Sequence, residues 1–481
     1  MARTFNDGIA PEEDSKYPLL FRPREKPQTP SSIWLFTTVL LSILFLVALL
    51  LMSPGLLQRL LPKWDPHPDI HHDVADCSKC RIRLVESIPE GLVYNSSIVN
   101  LQTHEAWKAL IRRTESSLEL ASSYWSLRGS DVYEDKSDWQ GEDIFKRLVK
   151  ATEKGIRINI AQNLPGDREP NLDTDALSKI QGVQVRSLNF TALMGAGILH
   201  TKLWISDRQH FYVGSANFDW RSLTQVKEMG VLVENCPCLA NDMGKIFDVY
   251  WRLGGRGKVV PPAWPKSLGT NINAEKPIRI QNGAGGRTLD FYLSSSPAPF
   301  CPVGRTVDIE AILSVIDHAK KFIHVAVMDY FPATLYSRSV QFWPIIDDRL
   351  RKAAIERSVE VRLLLSHWDH TRPDMKAYIL SLMALNGTNN GSVRIEGRFF
   401  QVPKFTPDQG KIPFARVNHN KYMVTDQSGY IGTSNWSADY FLNTGGIGLV
   451  FKSTNSSSND LRAQLEGVFQ RDWTSAYAHI V

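Results

Sequence analysis

The longest uninterrupted apolar run in the chain extends from Ile33 to Met52; only Thr37, Thr38 and Ser42 break it, and it carries no charge. At ~1.5 Å of rise per residue it matches the ~30 Å hydrocarbon core of a bilayer, which predicts a transmembrane helix. A polar tail containing Glu12, Glu13, Asp14 and Arg24 precedes the run, and no small-residue cleavage site follows it, so the run reads as a signal anchor. Arg22, Arg24 and Lys26 before it, against Arg59 and Lys63 after it, put the N-terminus in the cytoplasm and the bulk of the chain in a lumen or outside the cell.

Beyond a Pro- and His-rich stretch at 53–75 that suits a stalk, apolar strand-like runs alternate with amphipathic helical ones, and the alternation occurs twice. In the first half, Leu118–Tyr124 predicts a strand, Glu142–Thr152 a helix, Arg157–Ala161 a strand and Val183–Ser187 another. In the second half, Phe322–Met328, Ile345–Ile355, Val359–Leu365 and Val393–Gly397 repeat that order. The expected fold is α/β: two pseudo-twofold-related α/β/α sandwich halves behind a single transmembrane helix. The expected boundaries are 1–32 tail, 33–52 anchor, 53–75 stalk, 76–253 first half, 254–298 a Pro-, Gly- and Asn-rich linker with little regular structure, and 299–481 second half.

With 481 residues, 43% of them hydrophobic, the chain is long enough to bury a large core. A formal charge of +5 is too small for this length to single out a polyanionic partner. Sequons at Asn95, Asn189, Asn386, Asn390 and Asn455 fall where glycosylation operates if the topology holds, and a sixth is at Asn435. Cys77, Cys80, Cys236, Cys238 and Cys301 all follow the anchor; in an oxidising lumen the first four suggest two disulfides, with three pairings open and a four-thiolate zinc site as the competing idea.

Chemistry enters with a duplicated motif. His200-Thr201-Lys202 is followed by Asp207 and Gly214-Ser215-Ala216-Asn217; His419-Asn420-Lys421 is followed by Asp426 and Gly432-Thr433-Ser434-Asn435. Residues two apart share one face of a strand, so His200 converges with Lys202 and His419 with Lys421. A pseudo-twofold pairing of the halves brings both pairs around one phosphate. Ser215, Asn217, Ser434 and Asn435 add hydroxyl and amide groups suited to binding it. One imidazole then attacks phosphorus while the other protonates the leaving oxygen and later activates water. The lysines stabilise the non-bridging oxygens, so the scheme calls for neither metal nor cofactor. Asp207 and Asp426 complete the catalytic motifs in a structural or orienting role. Glu228 is placed to hold the tautomer of a catalytic histidine, and the second half has Gly446 at that offset. His200 is the preferred nucleophile. Two other segments draw notice: His367-Trp368-Asp369-His370 as a metal-binding loop, and Tyr330-Phe331-Pro332 as a base-stacking run.

The span from His200 to Gly230, with Phe211-Tyr212-Val213-Gly214-Ser215-Ala216-Asn217 and Thr224-Gln225-Val226-Lys227-Glu228, resembles the first HKD motif of the phospholipase D superfamily, and Arg416 to Tyr440 resembles the second. The anchor, the cysteine pattern and Gly432-Thr433-Ser434-Asn435-Trp436-Ser437 are similar to its type II membrane branch, whose vertebrate members are endolysosomal 5′ exonucleases. The resemblance implies a lumenal 5′-to-3′ exonuclease on single-stranded DNA or RNA with a 5′-hydroxyl, releasing 3′-phosphomononucleotides. It also implies the nested pairs Cys77 with Cys238 and Cys80 with Cys236. Tyr17-Pro18-Leu19-Leu20 resembles an endosomal sorting signal, and Asp426 stands where a glutamate is common in this branch. The same chemistry accepts alcohols, which leaves phospholipid hydrolysis or head-group exchange as the alternative. A catalytically dead scaffold is the third reading, and both motifs are complete. A duplicated chain builds its site alone, so a homodimer is compatible with the sequence and not required by it.

Overall fold

Strands form where the alternation predicts them, with ends displaced by at most three residues. A computed structural model describes residues 77–481 other than 167–169, 283–286, 338 and 454–459. The predicted anchor at Ile33–Met52, the tail with Tyr17, the stalk and Asn455 lie outside the described residues. Among the described residues no helix is long and apolar enough to cross a membrane.

In chain order the described strands are β1 (Arg81–Ser87), β2 (Leu101–Gln102), β3 (Ser117–Ser122), β4 (Trp125–Ser126), β5 (Arg157–Asn163), β6 (Val183–Leu188), β7 (Lys202–Ser206), β8 (His210–Gly214), β9 (Phe218–Asp219) and β10 (Glu228–Glu234). They continue with β11 (Ile278–Asn282), β12 (Arg287–Ser296), β13 (Thr306–Val307), β14 (Phe322–Val327), β15 (Glu360–Ser366), β16 (Ile395–Phe400), β17 (Lys421–Thr425), β18 (Ser428–Gly432), β19 (Gly446–Ser453) and β20 (Ala478–Ile480). The first sheet runs β2-β1-β10-β8-β7-β3-β5-β6 and the second β11-β12-β19-β18-β17-β14-β15-β16-β20. In both, the two strands flanked by helices lie parallel to the strand before them (β3-β5-β6 and β14-β15-β16), and the motif hairpins β7-β8 and β17-β18 pair antiparallel beside them. The two halves are thus one topology used twice.

That equivalence corrects the linker. β12 pairs with β19 as β1 pairs with β10, so 254–298 contains the counterpart of the first half's opening strand. Leu289, Phe291 and Leu293 alternate into the core. The signal was hidden because the strand ends in Ser294-Ser295-Ser296, a loop-like composition. Buried there, Ser294 Oγ donates to Asp308 at 2.7 Å and Ser296 Oγ to the Thr444 carbonyl at 2.9 Å, so these serines need no solvent.

Strand periodicity sends alternate residues to different layers. Leu203 and Ile205 of β7 face an inner core shared by both sheets and the helices Pro237–Leu253 and Leu461–Trp473. Trp204 faces an outer layer with Trp107, Ile144 and Leu148, and the second sheet's outer layer holds Ile312, Leu350 and Ile379. The Cys77–Cys238 and Cys80–Cys236 disulfides tie the start of the described chain to the head of Pro237–Leu253. All four sulfurs are consumed, which overturns the zinc alternative.

Candidate active site

Each motif histidine is held by the opposite half. The His200 N–H donates to the Gly445 carbonyl at 2.8 Å, and the His419 N–H donates to the Lys227 carbonyl at 2.8 Å, so the segments leading into β7 and β17 are stitched across the interface. Lys202 Nζ donates to the His200 carbonyl at 2.5 Å and Lys421 Nζ to the His419 carbonyl at 2.9 Å. Both lysines are buried; burial first, then the Lys421 charge, holds Lys202 well below the ordinary lysine range. Burial first, then the Lys202 and Lys421 ammoniums, holds both imidazoles well below the ordinary histidine range. Burial brings Lys421 down to about 7. The charges of Glu228 and Asp329 oppose that fall, so the two lysines and two histidines share the enclosure with two carboxyl groups.

The imidazoles differ in what holds Nδ1. His419 Nδ1 is 2.9 Å from Glu228 Oε2, whereas His200 Nδ1 is 2.9 Å from the Thr433 carbonyl oxygen. Burial pushes Glu228 up to about 7, and Ser215 Oγ donates to it at 2.6 Å. The second half has Gly446 at the equivalent position. A Cβ there would lie 2.4 Å from Ser434 Oγ and 2.8 Å from Ser296 Oγ, so no carboxylate fits on the His200 side.

The sequence-identified residues divide into two groups. His200, Lys202, His419, Lys421, Ser215, Asn217, Glu228 and Asn435 are brought together. Ser434 is buried with an unpartnered hydroxyl among the described residues, and the counterpart of Ser215 is Thr433, whose Oγ1 accepts the Ile447 N–H as Ser215 Oγ accepts that of Met229. Asp207 and Asp426 sit at the far ends of β7 and β17, roughly 16 Å along the strand from the lysines. Asp207 accepts N–H bonds from Glu115, Ser116 and Ser117, and Asp426 from Lys320 and Lys321, which pins the loops entering β3 and β14. Neither touches an imidazole, which corrects their place among the catalytic residues. The proposed base-stacking run is also corrected: Tyr330 and Phe331 are buried, with Tyr330 Oη donating to Asp347. His367 to His370 form no metal-ligating cluster among the described residues. Asn95, Asn189, Asn386 and Asn390 are exposed, whereas Asn435 is buried in the site.

Several residues around the site escaped the sequence reading. At equivalent places after β3 and β14 stand Tyr124 and Asp329. Asn217 Nδ2 donates to Tyr124 Oη at 3.1 Å; Asn435 Nδ2 donates to Asp329 Oδ2 and Tyr440 Oη, both at 3.1 Å. Tyr440 packs edge-on against His200 with centroids 5.0 Å apart. Superposing the two halves' sequences finds these positions; their residue types differ, so a search for identical repeats does not. Beside His419 and Glu228 opens a cleft of ≈ 690 Å³ walled by Tyr124, Leu164, Trp368 and Phe414.

Comparison with known proteins agrees with this arrangement. The profile described as PLD3/4, PLD-like domain matches residues 95–405. A Pongo abelii protein named 5′-3′ exonuclease PLD3 is 46% identical over 445 residues, covering 91% of this chain and 89% of that one. A Mus musculus protein named 5′-3′ exonuclease PLD4 is 40% identical over 407 residues, covering 83% and 80%. Among solved structures, a phosphatidylserine synthase from Haemophilus influenzae Rd KW20 shares the fold, with a TM-score of 0.52 at 11% identity over 83% of this chain and 87% of that one. Duplicated topology, paired motifs and close relatives together show that the chain belongs to the PLD3/4 family of phospholipase D-like proteins.

Proposed function

We propose that the chain is a 5′-to-3′ exonuclease that hydrolyses single-stranded nucleic acid through a phosphohistidine, and that the asymmetric pair His200 and His419 carries the reaction. The relatives named as 5′-3′ exonucleases favour this over the phospholipid alternative. A nucleophile must present a free lone pair. His200, its Nδ1–H directed to a carbonyl and its ring surrounded by ammoniums, is suited to stay neutral. An acid must hold a proton; burial and the lysines oppose one on either ring, and the carboxyl of Glu228 at Nδ1 is the support that His419 has and His200 lacks.

In this scheme His200 Nε2 attacks phosphorus as the P–O5′ bond breaks, and His419 gives its proton to O5′. The shortened strand leaves with a new 5′-hydroxyl. His419 then takes a proton from water, whose oxygen attacks phosphorus, and the P–N pair returns to His200 as the 3′-phosphomononucleotide departs. Lys202 and Lys421 neutralise the equatorial oxygens throughout. Attack and departure lie in line, so the leaving strand emerges on the His419 side, in the cleft with Trp368 and Phe414. The two disulfides fit an oxidising compartment, and with the apolar run at Ile33–Met52 they support an anchored lumenal enzyme.

The test uses the full-length chain at about pH 5, the acidity of the proposed lumen, with chelator present. It is given single-stranded DNA with free or blocked 5′ ends, alongside phosphatidylglycerol. Stepwise shortening from the free 5′ end, lost in His200→Ala, is the expected result. Intact DNA with head-group exchange would overturn the proposal.

A further inference from the structure

An exonuclease must distinguish a strand's end from its interior. Where an interior sugar carries a phosphodiester, a terminal one carries a hydroxyl, so the two differ by a full negative charge. On the exonuclease reading, with the leaving strand on the His419 side, the retained terminal nucleotide falls to the second half's wall, where Asp329, Asn435, Tyr440 and Tyr336 gather.

The two walls treat carboxylates differently. On the first, Asp219 is neutralised: Arg221 Nε lies 3.0 Å from both its oxygens, the Arg221 N–H donates at 2.8 Å, and Tyr124 Oη donates at 3.0 Å. On the second, the Asp329 carboxylate receives one amide donor, Asn435 Nδ2, and forms no ion pair among the described residues. Lys421 and Arg372 act on it only through space. Tyr336, 65% exposed, stands with its ring centroid 6.1 Å from that of Tyr440, which abuts His200. An exposed aromatic beside the reacting histidine offers a face for a terminal base. A carboxylate without a paired cation in a phosphate-binding site accepts a hydroxyl and repels a second phosphate.

We propose that Asp329 reads the strand end: its carboxylate accepts a hydrogen bond from the terminal sugar hydroxyl and excludes a phosphate at that place. Asp329 is thereby a specificity-determining residue, distinct from the four that carry out bond breaking.

The proposal is tested on the full-length chain at about pH 7, where a carboxyl that burial raises to about 6 is ionised. Thymidine 3′-phosphate and thymidine 3′,5′-bisphosphate are titrated against wild type and Asp329→Asn. Wild type is expected to bind the bisphosphate at least about tenfold more weakly than the monophosphate, and the variant to close most of that gap. Equal affinities in wild type would overturn the proposal without any variant, and so would an unchanged gap in Asp329→Asn. Cleavage of 5′-hydroxyl and 5′-phosphoryl oligonucleotides supplies the second readout: the variant's preference for the hydroxyl should shrink by a similar factor. Equal loss on both substrates would mark Asp329 as merely structural and overturn its end-reading role. Failure of wild type to shorten 5′-hydroxyl DNA at about pH 5 would refute the exonuclease reading itself, a different result.

Discussion

Replacing Glu228 by Gln removes a titratable carboxyl from a fully buried site while preserving side-chain size, and it tests the division of labour between the histidines. Glu228 contacts His419 Nδ1 at 2.9 Å and Ser215 Oγ at 2.6 Å, and has no solvent to dilute the change. A hydrogen bond to a charged group contributes about 1.5–3 kcal/mol against about 0.5–1.5 kcal/mol for a neutral one, so the variant should lose about 1–2 kcal/mol of support for the His419 imidazolium. At about 1.4 kcal/mol per tenfold, that corresponds to roughly a 5- to 30-fold fall in turnover on 5′-hydroxyl DNA. The pH dependence fixes the sign. The acid must be protonated, so activity falls as pH rises through its pKa; weakening the imidazolium lowers that pKa and moves the fall to lower pH. A thymidine 3′-phosphate ester of p-nitrophenol provides the decisive assay, because its leaving group departs without a proton. The first step should survive in Glu228→Gln as a burst of nitrophenol, followed by slow turnover while the phosphoenzyme awaits an activated water. Equal loss of burst and of oligonucleotide cleavage would refute the acid–base role of the Glu228–His419 pair.

Three further outcomes follow from other contacts. Phe414, 62% exposed at the mouth of the leaving-strand cleft, should stack a departing base; Phe414→Ala is expected to weaken oligonucleotide binding by about 1–3 kcal/mol while leaving the nitrophenyl ester's turnover unchanged, checked by comparing the two substrates. Lys227 is wholly buried between Glu86 at 3.1 Å and Asp472 at 2.9 Å, so Lys227→Met leaves carboxylates undercompensated and should destabilise the fold by about 3–5 kcal/mol in denaturant titration. His324 lies between Glu466 at 2.9 Å and Glu360 at 3.2 Å; burial opposes its protonation, yet these carboxylates raise its pKa above the ordinary value. Its stabilisation is therefore complete below about pH 6.5 and lost as pH rises through the higher folded value, so the melting-temperature gap between wild type and His324→Leu should narrow from acidic to alkaline pH.

Much of this arrangement was legible because chemistry and periodicity coincide. A histidine and lysine two apart at the head of a strand must share a face, and their duplication at matching offsets implied a common site before any coordinate was known. The strands at Phe322 and Glu360 carried enough apolar alternation to be found within a residue or two. β12 was not, because its serines find buried partners only once the Tyr440 and Asp308 regions have folded against them. The motif aspartates show the reverse error: their fixed spacing marks a strand's length, and the turn they pin lies at its other end.

The least legible feature is the one on which the chemistry depends. A duplicated chain offers two equivalent imidazoles, and a reaction needing one free lone pair and one proton requires them to differ. The offset between Glu228 and Gly446 shows in the sequence that the halves diverge, but not which histidine each residue serves, because that is decided by the crossing of the halves. Backbone pairing of His419 with Lys227, and of His200 with Gly445, places Glu228 against the histidine of the other half. The packing of Ser434 and Ser296 against Gly446 denies His200 the same partner. Had the motifs paired within their own halves, the same residues would have assigned the proton to His200. The roles are therefore a property of the interface, and substitutions that loosen it should impair catalysis without touching any residue that meets the phosphate.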